Sequence, residues 1–513
     1  MPAPVSPQGP AAGRAPAPGG RTAREGPTAG TSAVPLAELL AGRPEGPEVD
    51  VAALAARVRA SGRVLLVLDD DPTGTQSVAD LPVLMTWTPG SLAWALDQGR
   101  PAVYVMTNTR SLPAAEAGQR NREVARTALA VARERGVELT VVSRSDSTLR
   151  GHFPLETDVL AEEVAAATGR AVDGVVVVPA FGDAGRITVA GVHYAGDVGT
   201  GSYLPVGETE FARDASFGYA ASDLRQWVEE KSGGRIPAAR VAHVDLGLLR
   251  GDRAGVAAVL AGLQDAQPVV VDIVTENDLR LLAEALLDAQ DRGRRFVVRA
   301  GPPFPRALVG QVPHPPLTGD DLAAVRAGGL AEGAPGGLVV VGSHVARTTA
   351  QLAVLVERRS PHQVELDVGA VLALGAAAHV REVAEQTAAA LASGDVVVST
   401  SRRLVAPADR DEALAVARRV STALVEVVQQ VLAVRAPRFV VAKGGITSSD
   451  VAARGLGIER AMVRGPMLPG IVSLWEPVEG PARGIPYVVF AGNVGGPEGL
   501  ADVIDRLTRP PAR

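Results

Sequence analysis

Short valine- and leucine-rich runs alternate along this chain with longer stretches in which Ala, Leu, Arg and Glu recur at helical spacing. RVLLVLD (63–69), AVYVMTN (102–108), ELTVVSRS (138–145) and GVVVVPA (174–180) are apolar without alternation, the pattern of strands buried on both faces of a parallel sheet. AEAGQRNREVARTALAVARERG (115–136), between the second and third, predicts a helix. PVVVDIV (268–274) and RRFVVRA (294–300), with NDLRLLAEALLDAQDRG between them, extend the series. A Pro/Gly-rich interval over 301–337 reads as a linker flanking a short helix, and then LVVVGS (338–343), QVELDV (363–368), DVVVST (395–400), RFVVAKGG (438–445) and YVVFAGN (487–493) repeat the pattern. The alternation predicts an α/β fold: two α/β domains with mostly parallel sheets flanked by helices and a substrate cleft between them. The expected divisions are a disordered Pro/Ala/Gly-rich tail over 1–35, a first domain over 36–305, a linker over 306–337 and a second domain over 338–513.

Ligands of open α/β sheets bind beyond the carboxyl ends of the strands. Polar clusters stand there in both halves: DDDPTGT, TNTRS, SRSDSTLRG and PAFGDAGR in the first, GSHVARTT, KGGITSSD and AGNVGG in the second. Three aspartates at the end of an apolar strand repel one another and resist desolvation, so they point to a ligand. Two chemistries fit them. Asp69-x-Asp71-x-Thr73 has the form of an aspartyl-phosphate phosphatase motif, which also needs a cation and a second acidic pair. The first half offers only Lys231, in a polar helix end, and Asp320-Asp321 reads as a helix start.

The other chemistry is that of a small-molecule kinase. Arg110, Arg144 and Arg150 are expected to clamp a carboxylate in fork geometry, while Asp71, Ser145, Asp146 and Ser147 hold sugar hydroxyls. In the second half, Gly342-Ser343, Lys443-Gly444-Gly445-Ile446-Thr447 and Gly492-Asn493-Val494-Gly495-Gly496 follow strands and suit phosphate. Lys443 is one of two lysines in a chain that otherwise uses arginine. Neither a Walker A sequence nor a dinucleotide Gly-x-Gly-x-x-Gly is present at these strand ends, so a nucleotide site here is of another type.

Composition narrows the partners. A net charge of −6 argues against nucleic acid or an anionic membrane, and no run approaches the roughly 18–20 apolar residues that span a bilayer. The chain has no cysteine, which excludes disulfides and thiolate sites and suits the cytoplasm. No spaced set of His, Asp and Glu predicts a resident metal. His193, His152 and His344 lie near the clusters and read best as hydrogen-bonded structural residues. A homo-oligomer is compatible with everything in the sequence.

Taken together, DDPTG (70–74), SDSTLRG (145–151), PAFGDAGRITVAGVHY (179–194), GS (342–343), GGITS (444–448) and GNVGG (492–496) resemble the four-carbon acid sugar kinase family. That family phosphorylates threonate, erythronate and 3-oxo-tetronate with ATP, and the likeness runs from about Arg63 to Leu507. It implies an N-terminal acid-sugar domain and a C-terminal ATP domain. Asp71, Arg110 and the segment Arg144 to Ser147 would hold the sugar acid; Ser343, Gly444 to Thr447 and Gly492 would hold ATP. Asp71 is the expected base for the attacking hydroxyl, with Asp146 as its rival, and Mg²⁺ should accompany ATP. Three departures stand out: Pro72 for the usual Leu, Arg144 for the common Lys, and Lys443-Gly-Gly-Ile446-Thr for Ala-Gly-Gly-Glu-Thr. The last leaves room for a non-catalytic sugar-acid sensor as an alternative.

Overall fold

A computed structural model describes residues 33–401 and 410–510; the tail expected over 1–32 lies outside that range. Eight strands of the first half form an all-parallel sheet in the order Ala242–Val244, Gln267–Val271, Gly174–Val178, Phe296–Ala300, Glu138–Arg144, Arg63–Asp69, Ala102–Met106, Leu81–Leu84. Seven from the second half follow: Arg460–Leu468, Ile471–Pro477, Tyr487–Phe490, Val440–Lys443, Leu338–Val341, Val396–Thr400, His362–Leu366. The last five of these are mutually parallel. Helices such as Ala114–Glu134, Leu155–Thr168 and Glu276–Asp291 cover the faces, and Thr275 with Asp278 closes the last of these with a capping box.

The α/β architecture stands, but the two halves do not keep separate sheets. Leu81–Leu84 pairs antiparallel with Arg460–Leu468, and that strand forms an antiparallel ribbon with Ile471–Pro477, which pairs with Tyr487–Phe490. One sheet of 15 strands results. Three antiparallel steps reverse the strand direction between the halves. Six interstrand steps separate Arg63–Asp69 from Val440–Lys443, and a twist of about 20–25° per step rotates the second half by roughly 120–150°. That rotation undoes most of the reversal, so the carboxyl ends of both parallel sets face one cleft.

Two of the expected divisions need correction. Val34–Pro35, assigned to the tail, pairs with Ser202–Pro205 in a four-stranded antiparallel side sheet completed by Val192–Asp197 and Arg186–Val189. The expected linker begins inside a helix, Phe304–Leu308, where Arg306 is buried against Glu276; the short helix expected within it is Gly319–Arg326. Asp321 starts that second helix in a capping box with Thr318, as a helix start and not a metal pair.

Candidate active site

Asp69, Asp70 and Asp71 end the strand Arg63–Asp69 and enter a short 3-10 turn, Pro72–Ser77. Pro72 suits the first position of that turn, since it donates no hydrogen bond there. The turn is anchored in the second half: Thr75 Oγ1 lies 2.7 Å from Ser473 Oγ and accepts a hydrogen bond of 2.9 Å from Trp475 Nε1. Asp71 Oδ1 accepts from the Thr73 amide at 2.9 Å and from its hydroxyl at 2.5 Å. Asp71 Oδ2 faces Gly445, where a Cβ would lie 3.2 Å away. The acid loop of one half and the glycine loop of the other therefore meet.

Arg110 and Arg144 neutralise the aspartates. Arg110 grips Asp70 with two bonds, at 3.1 Å and 2.5 Å, and reaches Asp71 Oδ2 at 3.4 Å. Arg144 pairs with Asp69 and donates to the Asp71 carbonyl. Burial works to raise the Asp71 carboxyl, but Arg110, Arg144 and the Thr73 bonds outweigh it and hold it below the usual range. For Asp69 burial wins, and its carboxyl is pushed up to about 7. Of the three arginine forks expected to clamp a substrate carboxylate, those of Arg110 and Arg144 are thus turned onto the protein's own aspartates. Asp69, the nucleophile of the phosphatase reading, has no exposed surface, and that reading loses its reacting atom.

The loop Ser145–Gly151 follows the next strand. Asp146 accepts from the Thr148 hydroxyl and from Arg150 Nε at 2.5 Å; burial opposes its ionisation, but Arg110 and Arg150 depress its pKa well below the carboxylate range. Leu149 holds a φ of +68°, a strained conformation for a branched side chain. The loop is fixed by Tyr219, whose hydroxyl donates to the Thr148 carbonyl at 2.7 Å, and by His193, whose Nε2 lies 2.8 Å from the Ser147 carbonyl. Burial lowers His193 to about 4, so it is neutral and structural. His152 rests on the carbonyls of Thr109 and Leu112, and His344 on Thr400. Ser145 is buried beneath the loop, its amide bonded to the Ala300 carbonyl.

On the opposite wall three glycine loops converge. A Cβ at Gly492 would lie 2.7 Å from Ser343 Oγ, one at Gly444 would lie 3.2 Å from Ser343 Cβ, and one at Gly342 would collide with Thr447 Oγ1. Gly444 has a φ of +123°, which only glycine adopts freely. The helix Ala346–Arg359 begins beside them without a side-chain cap, and Thr348 ties its first turn to the Gly492 carbonyl at 3.0 Å. Uncapped amides, backbone crowding that excludes side chains, and Arg347 on the cleft wall suit a polyphosphate. Ile446 is exposed, but Lys443 is not in the cleft. Its side chain is wholly buried, with Nζ donating to the Ala491 carbonyl at 2.6 Å over the Phe490 ring.

The cleft has a volume of about 580 Å³. Asp71, Arg110, Arg144, Asp146, Ser147 and Arg150 line one side, and Gly445, Gly492 and Arg347 the other. Sequence reasoning missed Arg347 and Arg186. Both lay inside quoted segments, GSHVARTT and PAFGDAGR, but nothing in the spacing singles out an arginine that points into the cleft. Among the described residues no group of three His, Asp or Glu could hold a metal ion.

Two family models match the chain: a sugar-binding N-terminal domain over residues 65–308 and a nucleotide-binding C-terminal domain over 338–500. Among solved structures, a Salmonella typhimurium LT2 protein provisionally described as a tRNA synthase is 19% identical, covering 85% of this chain and 98% of its own, with a TM-score of 0.62. A Haemophilus influenzae protein of a family of unknown function is 18% identical over 86% of this chain and 100% of its own, with a TM-score of 0.57. A Bordetella bronchiseptica protein solved with bound citrate as a domain-swapped dimer is 22% identical over 88% of this chain and 100% of its own. Its TM-score of 0.36 is too low to argue from. None of the curated proteins compared with the chain matches it. The solved structures speak for the fold alone, whereas the two models together span more than three quarters of the sequence in the order the cleft requires. The chain belongs to the four-carbon acid sugar kinase family.

Proposed function

We propose that this protein is an ATP-dependent kinase that phosphorylates the terminal hydroxyl of a four-carbon sugar acid of the threonate, erythronate or 3-oxo-tetronate type. The observation that carries the reading is the approach of Asp71 to Gly445 across one cleft, which sets a hydroxyl acceptor beside a phosphate loop. Ser343, Gly444 to Thr447 and Gly492 cradle the nucleotide, and Lys443 supports that cradle from beneath through the Ala491 carbonyl. Arg347 neutralises phosphate charge. Asp71, Asp146 and Ser147 orient the sugar hydroxyls, while Arg110 and Arg144 keep Asp71 ionised.

In the transfer, the terminal oxygen forms a bond to the γ-phosphorus as the bond to the ADP oxygen breaks, and the hydroxyl proton passes to Asp71. A depressed pKa makes Asp71 a weak base, but a loose phosphoryl transition state asks mainly for position and charge balance. Asp70, Asp71 and Asp146 already face guanidiniums, so they do not form a protein cage for Mg²⁺. The ion would travel on the phosphate oxygens.

ADP release from Mg-ATP with a panel of tetronate stereoisomers tests the reading. Turnover of at least one is expected. A folded protein that releases no ADP with any of them would sink the kinase; binding of a tetronate in that experiment would support the sensor instead.

A further inference from the structure

Arg186 is a cleft-lining guanidinium with no carboxylate partner among the described residues. The other cations that line the cleft from the sugar-binding half are spoken for. Arg110 holds Asp70 and Asp71, Arg144 holds Asp69 with Asp70 at 3.8 Å, and Arg150 holds Asp146 at 2.5 Å with Asp214 at 3.8 Å. Arg186 Nε is buried without a hydrogen-bond partner. Arg186 itself is half-buried, and an Nε that has lost water without gaining a partner costs the fold, a cost that an anionic ligand in the cleft would offset.

Its placement is fixed by backbone rather than by charge. The turn Gly182–Ala184 leads to Gly185, whose φ of +76° and crowding against the Gly196 carbonyl exclude a side chain. Arg186 then exchanges backbone hydrogen bonds with Phe181, at 3.0 Å and 2.8 Å. Its guanidinium lies 5.5 Å from the centre of the Phe211 ring, and Arg150 lies 5.6 Å from the same ring. Stacking on an aromatic face holds the guanidinium in place and leaves its N–H edge free for an anion in the guanidinium's own plane.

We propose that Arg186 binds the carboxylate of the sugar-acid substrate and so makes this cleft select acids over neutral polyols. The inference rests on the kinase reading for the identity of the substrate. In a four-carbon acid the carboxylate and the terminal hydroxyl are roughly 5 Å apart by bond lengths, so two different groups must hold the two ends. Asp71, beside Gly445, takes the reacting end. Arg186 belongs to the half that carries Asp146, Glu210 and Arg150, all near enough to act on it electrostatically, and Arg347 acts on it from the nucleotide wall. Arg347, on the nucleotide wall with its guanidinium bonded to the Gly495 carbonyl, serves the phosphates.

The test is titration calorimetry of threonate and erythronate on the full chain without nucleotide, beside steady-state kinetics, for the wild type, Arg186→Met and Arg186→Lys. The Met variant should weaken acid binding and raise its KM roughly 10- to 100-fold, the loss of a charge-assisted hydrogen-bonded pair. Its KM for ATP should stay within about twofold, its preference for the acid over threitol or erythritol should shrink, and Lys should restore part of the binding. Unchanged acid affinity in a folded Met variant would overturn the assignment. So would a rise in the ATP KM without one in the acid KM, which would move Arg186 to the phosphoryl group. Acid binding by a wild type that does not turn over ATP, lost in the Met variant, would uphold Arg186 while refuting the kinase.

Discussion

Lys443 offers a quantitative test of the nucleotide wall. It ends the strand Val440–Lys443 with no exposed surface, and its Nζ lies 3.7 Å from the centre of the Phe490 ring. Burial, with the charge of Arg347 added, lowers its ammonium from 10.5 to about 7. The unfolded chain holds this proton up to its ordinary pKa, the folded chain only up to about 7. Between those values the unfolded state binds more protons, so stability rises with pH. At about 1.4 kcal/mol per pKa unit the full swing is about 5 kcal/mol. Lys443→Met keeps the length and the apolar stem and removes the titration, while losing one hydrogen bond to the Ala491 carbonyl, about 1 kcal/mol. The Met variant should therefore be more stable than the wild type by roughly 4 kcal/mol below the folded pKa, and equal or slightly weaker near the ordinary lysine pKa. Urea unfolding followed by tryptophan fluorescence at several pH values across that window measures the difference. If the two proteins keep parallel pH dependences, the lysine is charged in the folded state, held by the Phe490 ring and the carbonyl, and the burial argument fails.

Three further outcomes follow from the cleft. Asp71→Asn keeps size and removes the base, and kcat should fall by roughly 10² or more; an unchanged rate in the ADP assay would pass the role to Asp146. Gly74→Ala drives a methyl group into Arg144 Nε and Asp69 Oδ2, so it should lose about 1–3 kcal/mol by overpacking, and an unchanged thermal melt would contradict that geometry. Thr75→Val leaves the buried Trp475 indole N–H and the Ser473 hydroxyl without their partner. It should lower stability by about 1–3 kcal/mol and weaken the joint between the halves, read as a shifted urea midpoint; a neutral result would mean the joint does not depend on this contact.

The sequence by itself determined the layered α/β class, the positions of most parallel strands and the loops that end them. Runs such as GVVVV (174–178) and LVVV (338–341) can be satisfied only between two covered faces, and side-chain period is a local property. It did not disclose the joint. Leu81–Leu84 is short, Arg460–Leu468 carries Arg464, Gly465 and Pro466 with a register shift, and Ile471–Pro477 is neither a valine run nor a clean alternation. The step that joins the halves pairs Leu81–Leu84 with Arg460–Leu468, hundreds of residues away, which no window of sequence contains. The same holds for charge. DDDPTGT, TNTRS and SRSDSTLRG announced a polar site, but only the tertiary structure decided that Arg110 and Arg144 face aspartates, that Lys443 is buried, and that Arg186 is left with an open edge. Ion pairing and desolvation depend on distances across the cleft, and those are set by the twist of one continuous sheet rather than by the order of residues along the chain.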